Sequence, residues 1–337
     1  MKSIIITGGA GFIGSNLVRM AIDRYPNHRI INFDKLTYAG NLENLAGLEN
    51  HPRYQFIKGD VAVPEDVERA LAGDIEGILH LAAESHVDRS IQNASPFVTT
   101  NVIGTQWLLD LARAKKIQKF VHVSTDEVYG SLGSAGLFTE TTPIAANSPY
   151  SASKAGSDLL VRAAYHTHGF PACITRCSNN YGPYQFPEKL IPLLISNAVE
   201  DKPIPVYGDG MNVRDWLYVG DHCDALLRVY ESGKPGEVYN IGGNNELPNL
   251  TLVKTVLAIL KKPESLITFV KDRPGHDRRY AIDASKIRSE LGWEPSHRFD
   301  DAIRKTIAWY QTNSSWWQRV KSGAYREYYR SQYGSAL

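Results

Sequence analysis

The chain predicts an α/β fold, a doubly wound parallel sheet with a smaller, mixed α/β lobe toward its C-terminal end, and three observations support this. Short β-branched runs recur through the first half, and they are apolar on both faces. Stretches with apolar residues every three or four positions separate them, as helices covering a parallel sheet require. From about residue 181 this alternation gives way to Pro-rich loops, short helices and isolated strands such as Val238-Tyr239-Asn240-Ile241.

The expected strands are Ile4-Ile5-Ile6, Ile30 to Phe33, Tyr54 to Ile57, Ile78 to Leu81, Phe120 to Val123, and Cys173 to Thr175. Helices are expected at about 12–24, 64–72, 94–115 and 151–168, each joining two strands. The division that follows is a dinucleotide-binding domain over 1–180, carrying the catalytic residues, and a substrate lobe over 181–337 with some segments returning to the sheet. No repeat, low-complexity segment or long linker separates the two.

With 337 residues, 43% hydrophobic and 22% charged, the chain has the composition of a soluble globular protein. Thirty-seven basic and 36 acidic residues give a net charge of +1, so no global field favours nucleic acid or an anionic membrane. Cys173, Cys177 and Cys223 are odd in number and lack a C-x-x-C spacing, which argues against a disulfide framework or a zinc site. His166 and His168 have no acidic or cysteine partner, and no metal is expected. The apolar start breaks at Thr7-Gly8-Gly9, too short for a signal-peptide core, and no run approaches the ~20 apolar residues of a bilayer span. A cytoplasmic protein is expected.

The first strand runs into Thr7-Gly8-Gly9-Ala10-Gly11-Phe12-Ile13-Gly14 and then a helix. Glycines there allow a tight turn, close pyrophosphate approach and helix–strand packing, with the helix amino terminus facing the phosphates. The run fits both G-x-G-x-x-G and G-x-x-G-x-x-G, so its register stays open. Asp34 ends the second strand twenty residues after Gly14, where a carboxylate can bond the adenosine 2′-hydroxyl and repel a 2′-phosphate. NAD is favoured over NADP, although Lys35 beside it could tolerate a phosphate. Asp60 and Leu81-Ala82-Ala83 follow the third and fourth strands, at the same sheet edge.

A Y-x-x-x-K spacing occurs at Tyr54/Lys58, Tyr150/Lys154 and Tyr230/Lys234. Four residues along a strand separate side chains by ~13 Å, which removes the first pair. The third spans Ser232-Gly233 and abuts Pro235, a helix end. Tyr150 follows Pro149 at a helix start, where residues four apart are neighbours, so Tyr150/Lys154 is selected. A lysine ammonium near the phenol is expected to lower its pKa toward neutrality and let it take a proton from a sugar hydroxyl. Thr125-Asp126-Glu127, directly after the strand Phe120 to Ser124, adds an acid and a base that hydride transfer alone does not need.

Taken together, these motifs resemble the extended short-chain dehydrogenase/reductase family, and within its nucleotide-sugar branch the 4,6-dehydratases. The segments carrying the resemblance run end to end: Thr7 to Ser15, Asp34 to Asn41, Ala83 to Ser90, Ser124 to Gly130, Tyr150 to Lys154, Ser178 to Pro183, Asn212 to Trp216, and Asp272 to Asp277. The glycine loop and Tyr-Lys pair specify only the superfamily. Asp126-Glu127 and the Asp272-to-Asp277 segment are more selective.

The resemblance implies NAD held as a prosthetic group and a reaction that turns dTDP-glucose into a 4-keto-6-deoxy sugar nucleotide, as in the biosynthesis of rhamnose and other deoxysugars. Tyr150 would remove the proton of the carbon 4 hydroxyl as hydride leaves, and Thr125 would bond the carbon 4 oxygen. Glu127 would take the carbon 5 proton and Asp126 would protonate the departing carbon 6 hydroxyl, after which hydride returns to carbon 6. Both carboxyls reach one sugar only if the chain leaves strand geometry at Thr125, because adjacent strand residues point to opposite faces. Asp126 must be protonated to act, so its pKa is expected to be raised by partial burial near a second carboxylate.

By the same resemblance Phe12, Ile13, Thr37, Val61, Thr100, Lys154 and Asn180 join the cofactor set, and Ser85 joins the substrate set. Arg214 and Arg273 are candidates to grip the diphosphate, whose compact charge suits guanidinium donors. Asn179, Lys189, Leu190, Asn249 and His276 match substrate-contacting positions, and Pro205 with Tyr207 would flank the base. The aromatic tail from Trp316-Trp317 through Tyr325, Tyr328, Tyr329 and Tyr333 reads as packing. Helices 94–115 and 151–168 resemble those of a family homodimer interface.

Three rivals are weighed. A nucleotide-sugar 4-epimerase shares the NAD loop and Tyr-Lys pair but needs no Asp-Glu pair. A UDP- or CDP-glucose dehydratase would run the same chemistry with a different base pocket. A silent NAD-binding scaffold would predict damage at Thr125, Tyr150 or Lys154, and all three are intact.

Overall fold

The computed structural model describes residues 1–272 and 274–322. Its centre is a seven-stranded sheet of β1 (Ser3–Thr7), β2 (Arg29–Asp34), β3 (Tyr54–Lys58), β4 (Ile75–His80), β5 (Lys119–Thr125), β6 (Ala172–Cys177) and β10 (Val238–Ile241). All neighbours pair in parallel, in the order β10-β6-β5-β4-β1-β2-β3. The chain winds outward one way through β2 and β3 and the other way through β4, β5 and β6. The reversal between β1 and β4 opens a crevice at their carboxyl ends, where ligands bind in such sheets.

Helices cover both faces, as strands apolar on both sides demand. On one face α1 (Phe12–Arg24) packs with Ile4, Ile6 and Leu79. On the other, α2 (Pro64–Ala70) and the long helices after β4 and β5 pack around Ile5, Ile31, Ile78 and Phe120. Between β4 and β5 lie α3 (Val87–Gln92), α4 (Ser95–Phe97) and α5 (Gly104–Ala114), and α6 (Pro149–His168) joins β5 to β6.

The expected helix over 94–115 is not uniform. Residues Val98–Ile103 form a π-helical turn between α4 and α5. Such turns recur at functional sites. Here the turn carries Thr100 to the cleft described below and buries Asn101, whose side chain bonds the backbone of Glu84 and, at 2.8 Å, the Ser153 hydroxyl.

The second lobe contains two small sheets. One orders β11 (Glu246–Pro248), β9 (Val213–Tyr218) and β7 (Asn179–Tyr181), and the other pairs β8 (Ile204–Tyr207) with β12 (Ile267–Val270). With α7 (Leu190–Val199) and α9 (Asn249–Leu260) they enclose a separate core containing Leu194, Trp216, Val253, Ile303 and Trp317. Trp316 and Trp317 are buried there, and the Trp316 indole donates to Asn44 at 3.0 Å. Tyr325, Tyr328, Tyr329 and Tyr333 lie outside the described residues.

Val238–Ile241 corrects the expectation of an isolated strand. It pairs with Ile174–Cys177 as the edge of the large sheet, reached through α8 (Val219–Ser232), which packs on α1. The four-residue run carries no local sign of its partner, because parallel pairing is decided by the preceding crossover. Among the described residues no helix is long and apolar enough to cross a membrane.

Candidate active site

The glycine loop closes the crevice at β1 and fixes the open register. Gly8, Gly11 and Gly14 line the cleft, while Gly9 faces away toward Asn32 and Val18, so G-x-x-G-x-x-G is the working spacing. Gly8 sits at φ +70, and a Cβ there would lie 2.9 Å from the backbone of Ala82. A Cβ on Gly14 would lie 2.1 Å from the Gly8 carbonyl oxygen. Both positions exclude a side chain by backbone contact. The amino terminus of α1 has no side-chain cap, leaving its first amides directed at the cleft.

Asp34 is 8% exposed at the end of β2. Its two oxygens accept from the backbone amides of Ala10 (2.9 Å) and Leu36 (2.7 Å), so the carboxylate is held at the cleft wall with lone pairs to spare. Burial raises its pKa, and the two amide bonds oppose that rise. Lys35, the residue that could have favoured a 2′-phosphate, instead pairs with Asp60 at 2.6 Å. Phe12, Ile13, Thr37, Val61, Leu81, Ala82, Ala83, Thr100 and Asn180 line the same cleft, so every position expected around a dinucleotide borders one cavity.

β5 stays extended through Thr125 (φ −135, ψ 153), and the chain then coils into the 3₁₀ turn Asp126–Tyr129. The Thr125 hydroxyl accepts from the Glu127 amide at 3.3 Å and caps that turn. The departure from strand geometry brings both Asp126 and Glu127 to the cleft. Asp126 is 1% exposed, and its carboxyl is pushed well above the usual carboxylate range, chiefly by burial and then by the charges of Glu127 and Asp215. Its Oδ2 is buried with no hydrogen-bond partner among the described residues. A protonated carboxyl with a free oxygen is equipped to donate.

Pro149 opens α6 behind a Ser148/Ser151 capping box, and the Tyr150 amide donates to Ser90 at 3.1 Å. Tyr150 and Lys154 sit one turn apart, and both line the cleft. The Lys154 ammonium donates to the Val123 carbonyl at 2.8 Å, and burial holds its pKa down to about 8. The expected depression of the Tyr150 pKa is not found. Burial raises the phenol well above its ordinary value, Glu127, Cys177 and Asp126 add to the rise, and the Thr125 hydroxyl bond opposes it. A phenolate in this cleft would be desolvated and next to carboxyl groups, which outweighs a lysine that is itself desolvated.

The other two Y-x-x-x-K pairs are structural. Tyr54 lies on β3 and bonds Asn32 at 3.1 Å, and Lys234 pairs with Glu290.

Ser85, Asn179 and Lys189 also line the cleft, and the Lys189 ammonium donates to the Ser85 carbonyl at 3.2 Å. Leu190, Pro205, Tyr207, Arg214, Asn249 and His276 do not line it. Four of these gather beside it in the second lobe: Tyr207 ends β8, Arg214 lies in β9, Asn249 begins α9 and His276 is on a loop. The Tyr207 hydroxyl reaches Asp88 at 3.3 Å and its ring stands edge-on to His276, which lies 2.6 Å from Asp272. Arg214 is buried against the Tyr280 ring, 4.3 Å away, and donates to the Asp277 carbonyl at 2.9 Å. The Asn249 amide donates to Asn212, whose side chain bonds the same Asp277 carbonyl. The charge of Arg214 is near enough to oppose the upward shift of Asp126, which ties this cluster to the acid. Pro205 is buried in β8, Leu190 begins α7, and Arg273 lies outside the described residues.

Several lining residues were given no role from the sequence, although Ser124 and Ser178 fall in segments that carry the resemblance. Ser124, Cys177, Ser178, Gln185 and Glu188 border the cleft, and Glu188 is buried with the Tyr38 hydroxyl at 3.0 Å. Only the sheet order and the fold of the loop before α7 put them there.

A glycine loop at the carboxyl edge of a doubly wound sheet, with a helix-borne tyrosine and lysine one turn apart on the same cleft, is the arrangement of short-chain dehydrogenases/reductases. Within that class the chain belongs to the GDP-mannose 4,6 dehydratase family, whose model matches residues 5–306. It is 54% identical to the dTDP-glucose 4,6-dehydratase of Neisseria meningitidis serogroup B, covering 97% of this chain and 98% of that one. The dTDP-glucose 4,6-dehydratase of Bacillus anthracis, solved in complex with NAD, matches with a TM-score of 0.90 at 50% identity, covering 95% of this chain and 100% of that chain. The UDP-glucuronic acid 4-epimerase of Bacillus cereus, solved with UDP-glucuronic acid and NAD, matches with a TM-score of 0.86 at 30% identity, covering 92% and 99%. Shape alone is thus shared by dehydratases and epimerases, and the residues at the cleft must separate them.

Proposed function

We propose that this chain converts dTDP-glucose to dTDP-4-keto-6-deoxyglucose and water, with NAD as its resident cofactor. The observation that carries the reading is the turn at Asp126, which puts an acid and a second carboxylate on one cleft beside Tyr150. An epimerase has no use for that pair. The names of the relatives at 54% and 50% identity support thymidine over uridine or cytidine as the base.

The cleft fits NAD, since Gly8 and Gly14 permit the tight turn that opens the α1 amino terminus to the cleft and Asp34 presents a fixed acceptor whose neighbouring Lys35 is paired with Asp60. When bound, NAD supplies the acceptor for the hydrogen removed from carbon 4 and the donor that restores it at carbon 6. Tyr150, once its own phenol proton has left, takes the carbon 4 hydroxyl proton, and Thr125 bonds the same oxygen. The ketone acidifies the carbon 5 hydrogen, which Glu127 removes and gives back to carbon 5 when carbon 6 is reduced. The proton on Asp126 goes to the carbon 6 hydroxyl, and water leaves. No net oxidation results. Lys189, Arg214 and Asn249 hold the nucleotide, with Tyr207 against the base.

A homodimer is supported by Val98, Ile103, Trp107 and Leu159, apolar residues 48%, 45%, 39% and 56% exposed on the two long helical stretches. Three buried cysteines without a disulfide support a cytoplasmic setting. The test uses dTDP-glucose carrying deuterium at carbon 4. Label at carbon 6 of a 4-keto-6-deoxy product is the expected result, and label retained at carbon 4 of a galactose product sinks the reading.

A further inference from the structure

Behind the cleft floor, buried side chains outside the proposed proton path form one charged unit. Asp158 stands one helical turn beyond Lys154 on α6 and is 1% exposed. Its Oδ2 accepts from Arg176 Nε at 2.9 Å, and its Oδ1 lies 3.4 Å from His122 Nε2. Arg176 belongs to β6 and His122 to β5, so one carboxylate joins the catalytic helix to two adjacent strands. The Arg176 guanidinium is further confined by the Tyr129 ring, 4.8 Å away.

The charge count here is uneven. Around Tyr150 and Lys154 stand Asp158 from α6, His122 from β5, Asp126 and Glu127 from the turn after it, His80 from β4, and Arg176 and Cys177 from β6. Burial keeps His80 neutral and holds His122 at about 4, and it keeps Cys177 a thiol. The carboxyl of Asp126 is displaced toward its protonated form by burial. Burial also works against ionised Asp158, but the nearby His122 ring, whose Nε2 is bonded to the Ser157 hydroxyl, and the Arg176 charge bring its pKa below the ordinary value. One buried carboxylate is therefore bonded to Arg176 and stands one helical turn from Lys154, whose ammonium is bonded to the Val123 carbonyl and feels the same negative charge. A buried ammonium keeps its proton only with a nearby anion.

We propose that Asp158 is a positioning residue that keeps Lys154 in its ammonium form, and that Arg176 competes with Lys154 for the same carboxylate. The inference rests on the reading of Tyr150 and Lys154 as the proton-transfer couple and says what sets the charge of its lysine. The unit leaves a net positive charge buried behind the phenol. That charge works against the neighbouring carboxyls when the phenol must become anionic.

The two partners should therefore act in opposite directions, which a purely structural role would not produce. In the parent, kcat/KM is expected to fall on the alkaline side near the Lys154 value of about 8. Asp158→Asn moves that limb down by about one pH unit, and Arg176→Met, which frees the carboxylate for Lys154, moves it up by about half a unit. Asp158→Glu and Arg176→Lys return the limb to the parent position. Limbs that coincide, or that move the same way in both variants, overturn the proposal. Should Asp158→Asn give no folded protein, an unmoved limb in Arg176→Met is sufficient to overturn it. Tyr150→Phe separates the two levels: turnover equal to the parent defeats the proton-transfer reading itself, whereas lost turnover with coincident limbs defeats only the role of Asp158.

Discussion

The dinucleotide cleft and the neighbouring nucleotide-sugar cluster are built on different principles. The glycine loop, Asp34, Leu81 to Ala83 and Thr125 to Glu127 sit at the carboxyl ends of β1, β2, β4 and β5, each placed by a regular strand and the turn after it, with Tyr150 and Lys154 brought in by α6. The cluster draws Tyr207, Arg214, Asn249 and His276 from four separate segments, held together by a shared carbonyl at Asp277 and by ring contacts. A sheet edge prescribes position through register alone. The cluster's residues come from two different small sheets, a helix start and a loop, so their mutual placement depends on the contacts between those elements.

If the contrast is right, changes in the cleft should alter chemistry and cofactor retention, and changes in the cluster should alter substrate affinity. The largest effect is expected for Asp126→Asn, which retains the shape but has no proton to give. Elimination should slow by about a thousandfold, while deuterium at carbon 4 is still removed, measured by rapid quench with labelled substrate. A uniform loss of both steps would mean Asp126 merely supports the turn. Next, Gly14→Ala presses a Cβ into the Gly8 carbonyl and should weaken NAD binding by about fiftyfold, on a strain of about 2–3 kcal/mol. Calorimetry on the stripped protein measures it.

Arg214→Lys probes the cluster. A lysine cannot reproduce the fork that meets both Val213 and Asp277 carbonyls, so KM for the nucleotide sugar should rise by about tenfold with NAD content unchanged. Loss of NAD instead would break the distinction between the two regions.

A fourth outcome concerns stability. The folded-state pKa of Asp126 is raised, so its favourable contribution is complete below the unfolded carboxylate value and is lost as pH rises toward the folded one. Asn does not titrate. Asp126→Asn and the parent should melt together near pH 4, and the variant should become the more stable of the two as pH rises to neutrality. Equal melting temperatures at every pH would contradict the raised pKa. The smallest effect belongs to Lys35→Ala, whose exposed pair with Asp60 is worth less than about 1 kcal/mol. NAD should still be preferred to NADP by the variant, because Asp34 is held by amides rather than by Lys35.

The sheet strands, most of the helices between them and the residues that line the cleft at the strand ends were legible because each rests on local periodicity or on a turn that demands glycine. The parity objection at Asp126-Glu127 was legible too, and the 3₁₀ turn answered it. The rest needed the fold. Nothing in Val98–Ile103 announces a π turn, since its β-branched composition suits any helix or strand. Nothing near Tyr150 indicates that burial and the carboxyl of Glu127 would raise the phenol, because the spacing shows the lysine but hides the desolvation.

By itself, then, the sequence determined which chemical groups are present and in what order they leave the sheet: three spaced glycines, an acid after β2, a Thr-Asp-Glu run after β5 and a tyrosine and lysine one helical turn apart. Those features follow from short-range geometry, which each segment carries alone. Tertiary structure decided which glycine faces the cleft, how deeply Asp126 is buried, and that one carboxylate, Asp158, is bonded to Arg176 while Lys154 feels the same negative charge. Burial and electrostatic pairing depend on segments distant in the chain, so no single stretch of residues contains them.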